Sequence, residues 1–350
     1  MIHKEHVLKV FVTGTNGYIG CVLGPYLMER GIEVVGLDTG YYRDGWLYSD
    51  NQATPRTPLT INKDLRQVDA ADLAGVDAVA HLAELSNDPL GQNDPGITLE
   101  INHKGSVRLA GIARKAGIRR FVYTSSCSVY GAGTGDFLDE TSATNPQTAY
   151  AQCKTLVERD VGAMAGNDFC PVFLRNATAY GPSPRMRFDI VINDLSALAW
   201  TTKKIAMVSD GSPWRPVVHV LDICEAIYRS LIAPEEAVRG EIFNVGHTNE
   251  NYRVREIAAL IAQEFPGCEV TTGPSGGDNR SYRVNFDKIL RQLPGFRCQY
   301  TAKDGARQLH QLFERIGFDD SVYKYRAFTR LKQLQYLQST KQVDAKLFWR

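Results

Sequence analysis

The sequence has no cysteine pair at CxxC spacing, no apolar run long enough to cross a membrane and almost no net charge. Each shortage excludes something. Seven cysteines, Cys21, Cys127, Cys153, Cys170, Cys224, Cys268 and Cys298, are an odd number. Without close pairs they argue against a disulfide framework or a zinc site. Reduced thiols in a cytoplasmic protein and no bound metal are the expectation. The opening stretch, with His3 and His6, is polar and leads directly into a β-branched segment, with no signal-like apolar region before it. Spanning helices need about 20 apolar residues, and nothing here approaches that, so no membrane partner is expected. Lys and Arg number 40 against 39 Asp and Glu, a formal net charge of +1. That balance gives no general attraction to nucleic acid. No internal repeat or low-complexity linker is visible. What is present is 350 residues with 43% hydrophobic content, enough for one large domain or two intimate ones.

Apolar runs alternate with helical patterns. Val7 to Thr13, Glu33 to Asp38, Leu59 to Asp64, Ala78 to Ala83, Arg120 to Ser125 and Cys170 to Arg175 read as strands. Ile19 to Arg30, Thr98 to Ala116 and Thr148 to Ala165 read as helices. This alternation predicts βαβ units: an α/β fold, a doubly wound parallel sheet of the Rossmann type. After Arg175 the pattern changes. Pro182, Pro184, Pro213 and Pro216 interrupt the chain, and a smaller, less regular C-terminal lobe is expected. Val217 to Val220 and Glu241 to Val245 read as strands that return to the main sheet. Tyr323 to Arg350, rich in Lys, Gln and Leu, reads as helix.

The first strand ends in Thr13-Gly14-Thr15-Asn16-Gly17-Tyr18-Ile19-Gly20. Gly14 suits a tight turn, Gly17 a close approach of backbone to a pyrophosphate, and Gly20 close packing of helix on strand. The helix N-terminus then faces the anion. Asp38 closes the second strand, where a carboxylate can bind both adenosine ribose hydroxyls and repel a 2′-phosphate. That predicts NAD rather than NADP. Asp64 and Leu65 follow the third strand at the expected adenine contact. His81-Leu82-Ala83 ends the fourth. Small residues at this strand end would let the cofactor lie across the sheet edge beside Leu82 and Ala83, and His81 reads as structural. Asn102, on the next helix, completes the candidate cofactor set with Tyr150 and Lys154.

Ser126, Tyr150 and Lys154 are the candidate catalytic residues. Tyr150 and Lys154 are four apart, hence one turn apart on one helix face. A tyrosine with its usual pKa near 10 is a poor base at neutral pH. A lysine cation beside it favours the phenolate. A serine at the end of an adjacent strand can hydrogen-bond the reacting oxygen, which together is acid–base support for hydride transfer.

The glycine turn, Asp38, His81-Leu82-Ala83, the run Ser125-Ser126-Cys127-Ser128-Val129-Tyr130-Gly131 and Tyr150-x-x-x-Lys154 resemble the extended short-chain dehydrogenase/reductases, in particular the NAD-dependent epimerase/dehydratase family. Arg215 to Val220 and Phe243-Asn244-Val245-Gly246 add to the likeness, which covers roughly residues 7 to 290. It implies an NAD-binding domain over 1–175 with returning segments at about 217–247. A substrate lobe and C-terminal helical tail would occupy 176–216 and 248–350. It also implies a nucleotide-diphosphate sugar as substrate. Substrate contacts would come from Glu84, Ser126, Cys127, Ser128, Asn176, Thr178, Arg215 and Arg280.

Departures from the family pattern carry information. Dehydratases and decarboxylating relatives have acidic residues just after the catalytic Ser or Thr. Here Cys127 and Ser128 stand there, which disfavours dehydration. Cys127 reads as a packed residue, with a pocket position as the alternative. Asn176 or Thr178 would replace the family's usual asparagine contact to the diphosphate. Arg280 would stand in for an arginine missing at Ser275. Glu84 takes the place of a usual alanine and reads as a solvated loop acid, with substrate contact as the alternative. The resemblance implies an NAD-dependent nucleotide-sugar epimerase acting through a transient keto-sugar. The alternatives are a nucleotide-sugar ketoreductase or dehydrogenase, and a non-catalytic NAD-sensing scaffold, which the presence of both Tyr150 and Lys154 disfavours. Apolar residues around much of Thr98 to Ala116 and Thr148 to Ala165 predict a homodimer through these helices. The competing reading is that Tyr323 to Arg350 folds back over the same surface.

Overall fold

The computed structural model describes residues 7–49, 57–86, 94–133, 136–275 and 281–350. Seven parallel strands form the central sheet: β1 (Lys9–Thr13), β2 (Glu33–Asp38), β3 (Leu59–Asn62), β4 (Ala78–His81), β5 (Arg120–Ser126), β6 (Cys170–Asn176) and β7 (Ile242–Val245). Their order is β7-β6-β5-β4-β1-β2-β3. The chain winds outward from β1 in both directions, so a crevice opens at the strand carboxyl ends where the winding reverses.

Alternation along each strand sorts the core into two layers. Val10, Val12, Val122, Val172 and Leu174 face one way. They pack under the helices Gly20–Met28 and Val220–Ile232. Phe11, Phe121, Tyr123 and Phe173 face the other way. They meet Leu109, Ala110 and Ala113 of Ser106–Lys115, and Val157 and Val161 of Ala149–Gly162. Fully burying each such side chain stabilises the fold by roughly 1.5–3 kcal/mol. The long helix expected from Thr98 starts as Pro95–Thr98, widens into a π-helical stretch over Leu99–Gly105 and tightens again into Ser106–Lys115.

A second core lies beyond the carboxyl ends of the strands. Ile192, Ile257, Ile261, Leu309 and Phe313 bind together the helices Val191–Thr202, Val254–Glu264 and Ala302–Ile316. Here one expectation fails. Val217 to His219 do not return to the main sheet. They pair with Thr178–Tyr180, and the same strand's Trp214 to Pro216 pair with Asn251–Arg253, giving a separate three-stranded sheet. The edge beside β6 is already filled by β7, whose register runs Ile242 on Phe173 to Val245 on Asn176. Val220 itself starts a helix.

The tail is also less helical than its composition implies. Only Asp320–Lys324 and Arg330–Ser339 are α-helical. The last residues turn back, with Lys341 and Leu347 at positive φ and a bridge from Val343 to Trp349. Leu334, Leu337, Val343 and Leu347 pack on Tyr41, Leu85 and Ile101, with Ile97 alongside. The tail therefore covers the start of the first of the two helices proposed for dimerisation, beside the crevice. No helix among the described residues is long and apolar enough to cross a membrane.

Candidate active site

The crevice is a cleft of about 1140 Å³. Gly14, Gly17, Tyr18, Ile19 and Gly20 line one end. Gly14 has φ +77°, a conformation that favours glycine, and donates its N–H to the Leu37 carbonyl at 2.7 Å. A Cβ at Gly20 would fall 1.9 Å from the Gly14 carbonyl oxygen, so only glycine lets the helix start this close to the strand. No side chain caps that helix; the Cys21 and Val22 N–H groups bond the Gly17 and Ile19 carbonyls, and the helix dipole favours an anion at this end. The Asp38 carboxylate accepts from the Asn16 N–H at 2.9 Å and the Gly40 N–H at 2.7 Å. Burial pushes this carboxyl up from its usual range, opposed by those two bonds and by Arg185 and Arg330. Asn16 thus contributes its backbone to Asp38, and its side chain is not part of the cleft lining. Asp64 and Leu65 line the same end, Asp64 being held by the Arg66 guanidinium at 2.8–2.9 Å.

A buried proton chain fixes the exit of β4. Ser106 Oγ donates to the Asn102 carbonyl at 2.5 Å. His81 Nε2, 2.7 Å from Ser106 Oγ, must therefore donate to it. Nδ1 is left to accept from Thr13 Oγ1 at 2.6 Å. Thr13 Oγ1 in turn accepts from the Leu82 and Ala83 N–H groups, each at 3.1 Å. Burial holds the imidazole neutral, with its pKa lowered to about 3. Asn102 belongs to this scaffold and does not line the cleft. Its amide grips the backbone of Leu85, accepting at 2.9 Å and donating at 3.0 Å.

Ser126 ends β5, and Tyr150 and Lys154 lie on Ala149–Gly162, whose N-terminus Thr148 caps by accepting from the Ala151 N–H. All three line the cleft. Ser126 Oγ accepts from the Ser128 N–H at 3.1 Å, which leaves its own proton to donate. Lys154 Nζ lies 5.3 Å from the Tyr150 ring centre and donates to the Thr124 carbonyl. Glu84 is no solvated loop acid. Its side chain is 3% exposed, and its Oε2 sits 2.7 Å from Lys154 Nζ. It is drawn inward because the buried ammonium needs a counter-charge. Cys127 points away from the cleft into the core and donates to the Arg175 carbonyl. Ser128, Asn176, Thr178 and Arg215 do line the cleft. Ser128 Oγ and Asn176 Oδ1 are buried without a hydrogen-bond partner among the described residues, so both are ready for a ligand. Arg280 lies outside the described residues.

The profile of the NAD dependent epimerase/dehydratase family matches residues 10–246. The chain belongs to that family. A UDP-glucose 4-epimerase of Mycolicibacterium smegmatis is 30% identical over 319 residues, covering 87% of this chain and 98% of the relative. A UDP-N-acetyl-alpha-D-glucosaminuronate decarboxylase of Bacillus cytotoxicus is 27% identical over 328 residues, covering 89% and 99%. Among solved structures, MoeE5 in complex with UDP-glucuronic acid and NAD superposes with a TM-score of 0.74 at 26% identity, covering 88% of this chain and 99% of that one. The UDP-glucose 4-epimerase of Thermotoga maritima shares the fold, with a TM-score of 0.76 at 21% identity and coverage of 89% and 100%.

This member of the NAD-dependent epimerase/dehydratase family also lines its cleft with residues that sequence reasoning did not single out: Tyr41, Tyr42, Ser86, Arg187, Asp189, Asp194 and Arg330. Arg187 Nε binds Asp189 Oδ1 at 2.8 Å. Asp194, buried and bonded by the Tyr323 hydroxyl at 2.8 Å, is pushed up to about 6 by burial. Arg330 comes from the C-terminal helix, and burial lowers its guanidinium to about 10. For Arg187 and Arg330 the signal in the sequence was the frequency of Arg after Arg175; the others had none.

Proposed function

We propose that the chain is an NAD-dependent nucleotide-sugar epimerase. The observation that carries this reading is the state of the acids lining the cleft. Asp38 is bound by backbone, Asp64 by Arg66, Glu84 by Lys154, Asp189 by Arg187 and Asp194 by Tyr323. The two residues after Ser126 carry no carboxylate, and Cys127 is turned into the core. Epimerisation needs no acid beyond Tyr150, whereas dehydration needs further groups to move protons at neighbouring carbons.

The glycine turn, the helix N-terminus without a side-chain cap and Asp38 fit NAD, which when bound supplies reversible hydride acceptance with no net redox change. The chain's residues do the rest. Tyr150 takes the proton of the reacting hydroxyl and returns it. Lys154 favours the phenolate, and Ser126 donates a hydrogen bond to the sugar oxygen. Arg215, Asn176 and Thr178 are placed to hold the diphosphate, an arginine fork suiting two phosphate oxygens.

The test is incubation of the purified protein with NAD and a panel of UDP- and dTDP-sugars, read by mass and NMR. A product of unchanged mass and inverted configuration is expected, with KM raised in Arg215→Ala. Loss of water or of carbon dioxide, or stoichiometric consumption of NAD, would replace the epimerase reading with a dehydratase, a decarboxylase or a dehydrogenase.

A further inference from the structure

Behind the Tyr150–Lys154 pair lies a charge the mechanism above does not use. Glu84 leaves β4 three residues past its last member, and its carboxylate is enclosed on both oxygens. Oε1 accepts from the Tyr123 hydroxyl at 2.6 Å, and Oε2 lies 2.7 Å from Lys154 Nζ. The two charged side chains are 3% and 4% exposed. The ammonium also sits 4.6 Å from the centre of the Tyr123 ring and donates to the Thr124 carbonyl. Burying a single charge of this kind costs several kcal/mol unless it is paired. The geometry therefore ties Glu84 and Lys154 into one unit. Glu84, Lys154 and Tyr150 all line the same cleft.

We propose that Glu84 is a positioning residue for the acid–base chemistry: its carboxylate fixes the Lys154 ammonium beside Tyr150 and offsets its charge, so that Tyr150 keeps its proton until further positive charge enters the cleft. The inference rests on the reading of Tyr150 as the acid–base group. Lys154 alone would favour the Tyr150 phenolate. Burial pushes the Glu84 carboxyl up, opposed by Lys154 and the Tyr123 and Ser106 hydroxyls; with Glu84 ionised, the fixed charge of the pair is zero. The positive charge of an oxidised nicotinamide then becomes the larger influence on the phenol. Tyr150 is a base when hydride is to be removed and an acid when it is to be returned, as reversible chemistry requires.

The other groups facing the pair do not undo this balance. His81, on β4, is held neutral between Thr13 and Ser106. The Cys153 thiol is pushed up to about 12 by burial and stays protonated. Burial likewise keeps the Tyr123 phenol protonated. Glu158, one turn further along the helix, is committed to Arg175 at 2.7 Å. Arg187, across the cleft, is matched by Asp189. Burial by itself would lower the Lys154 ammonium; Glu84, with smaller help from Tyr150 and Cys153, outweighs it, and Lys154 lies above the ordinary lysine range.

The sign of the effect is fixed. A neighbouring anion disfavours a second anion, so removing it lets Tyr150 ionise at lower pH. The experiment is a titration of tyrosinate absorbance in the full-length protein. It is run for wild type, Glu84→Gln, Glu84→Ala and Glu84→Asp, each against the same background carrying Tyr150→Phe, which isolates the Tyr150 signal. No substrate is needed, so this result stands whether or not an epimerase activity is found. In both neutral variants the Tyr150 midpoint is expected about one to two pH units lower, with Glu84→Asp close to wild type. Where turnover is measured, the acid limb of kcat/KM moves with it while KM for the nucleotide sugar does not. If Glu84→Gln fails to fold, Glu84→Ala carries the test, since alanine leaves no amide to satisfy. Equal midpoints in wild type and the folded neutral variant would overturn the proposal, as would a shift in Glu84→Asp as large as in the neutral variants.

Discussion

The two banks of the cleft are built from stretches of chain with very different reach. On the sheet side, Gly14 to Gly20, Asp38, Leu82 to Glu84 and Ser126 all lie at or just beyond the carboxyl ends of β1, β2, β4 and β5. Their contacts are short and largely to backbone, as in the two N–H groups that hold Asp38. The opposite bank is made of long side chains delivered from afar. Arg330 donates its N–H to Asp189, 141 positions earlier, and its guanidinium faces the Tyr42 ring at 4.1 Å. The first bank is set by strand geometry as soon as the sheet forms. The second exists only once the tail has docked. A motif in sequence can describe the former and not the latter.

If the sheet-side bank holds the chemistry, its largest lever is a single oxygen atom. Tyr150→Phe keeps the ring against Lys154 and removes the group that takes the proton. Loss of general acid–base catalysis typically costs about 10²–10⁴-fold in rate, and kcat is expected to fall within that range while NAD affinity changes little. Stopped-assay turnover and a fluorescence titration of NAD would measure both. Retention of most of the wild-type rate would move the chemistry off this bank.

Legibility follows the same division. The strands from β1 to β6 could be read because each is a short apolar run followed by a turn or helix signal, and β7 was read as a strand returning to the same sheet. The strand Trp214–His219 was misplaced because its composition matches a returning strand; the occupancy of the sheet edge by β7 is a fact of topology. Glu84 was misread for a related reason. A glutamate in a loop is normally solvated, and only the fold places Lys154 2.7 Å away. Cys127 is packed in the core, as its preferred reading had it, whereas Asn102, read as a cofactor contact, turns its side chain to the Leu85 backbone, a direction that spacing alone does not reveal. The tail had helical composition, yet its last turn is shaped by Tyr41 and Trp349, whose rings lie 6.0 Å apart.

The far-sequence bank can be loosened without touching a motif. Trp349 donates to the Thr39 carbonyl at 2.5 Å and carries the Arg43 guanidinium at 4.6 Å. The Phe348 ring lies 3.8 Å from the Arg66 guanidinium, whose partner is Asp64. These contacts brace the end of the cleft that fits adenosine. Replacing both Phe348 and Trp349 by Ala is expected to weaken NAD binding roughly tenfold, or about 1.4 kcal/mol, with kcat at saturating NAD preserved. Calorimetric titration beside a turnover assay separates the two. An unchanged Kd would show that the tail merely covers the surface and that the cleft is complete without it.

The smallest expected change tests the sheet-side bank at its most local point. The carboxylate of Asp38 does two jobs: it accepts the Asn16 and Gly40 N–H groups, and it presents negative charge to the cleft. Asp38→Asn removes the charge and keeps one of the two acceptors, since the Asn16 and Gly40 N–H groups bond different carboxylate oxygens and an amide nitrogen cannot accept. Two like charges at ~4 Å repel by about 4 kcal/mol at an effective dielectric of 20. Arg185 and Arg330, which act on Asp38, reduce that figure. A fall of several-fold to tenfold in the preference for NAD over NADP is therefore expected, on top of a loss common to both cofactors from the hydrogen bond that the variant cannot keep. Parallel titrations of the two cofactors against wild type and variant measure it. An equal loss of both would mean that Asp38 acts only by shaping the glycine turn, and that the discrimination belongs to the arginine-rich bank opposite.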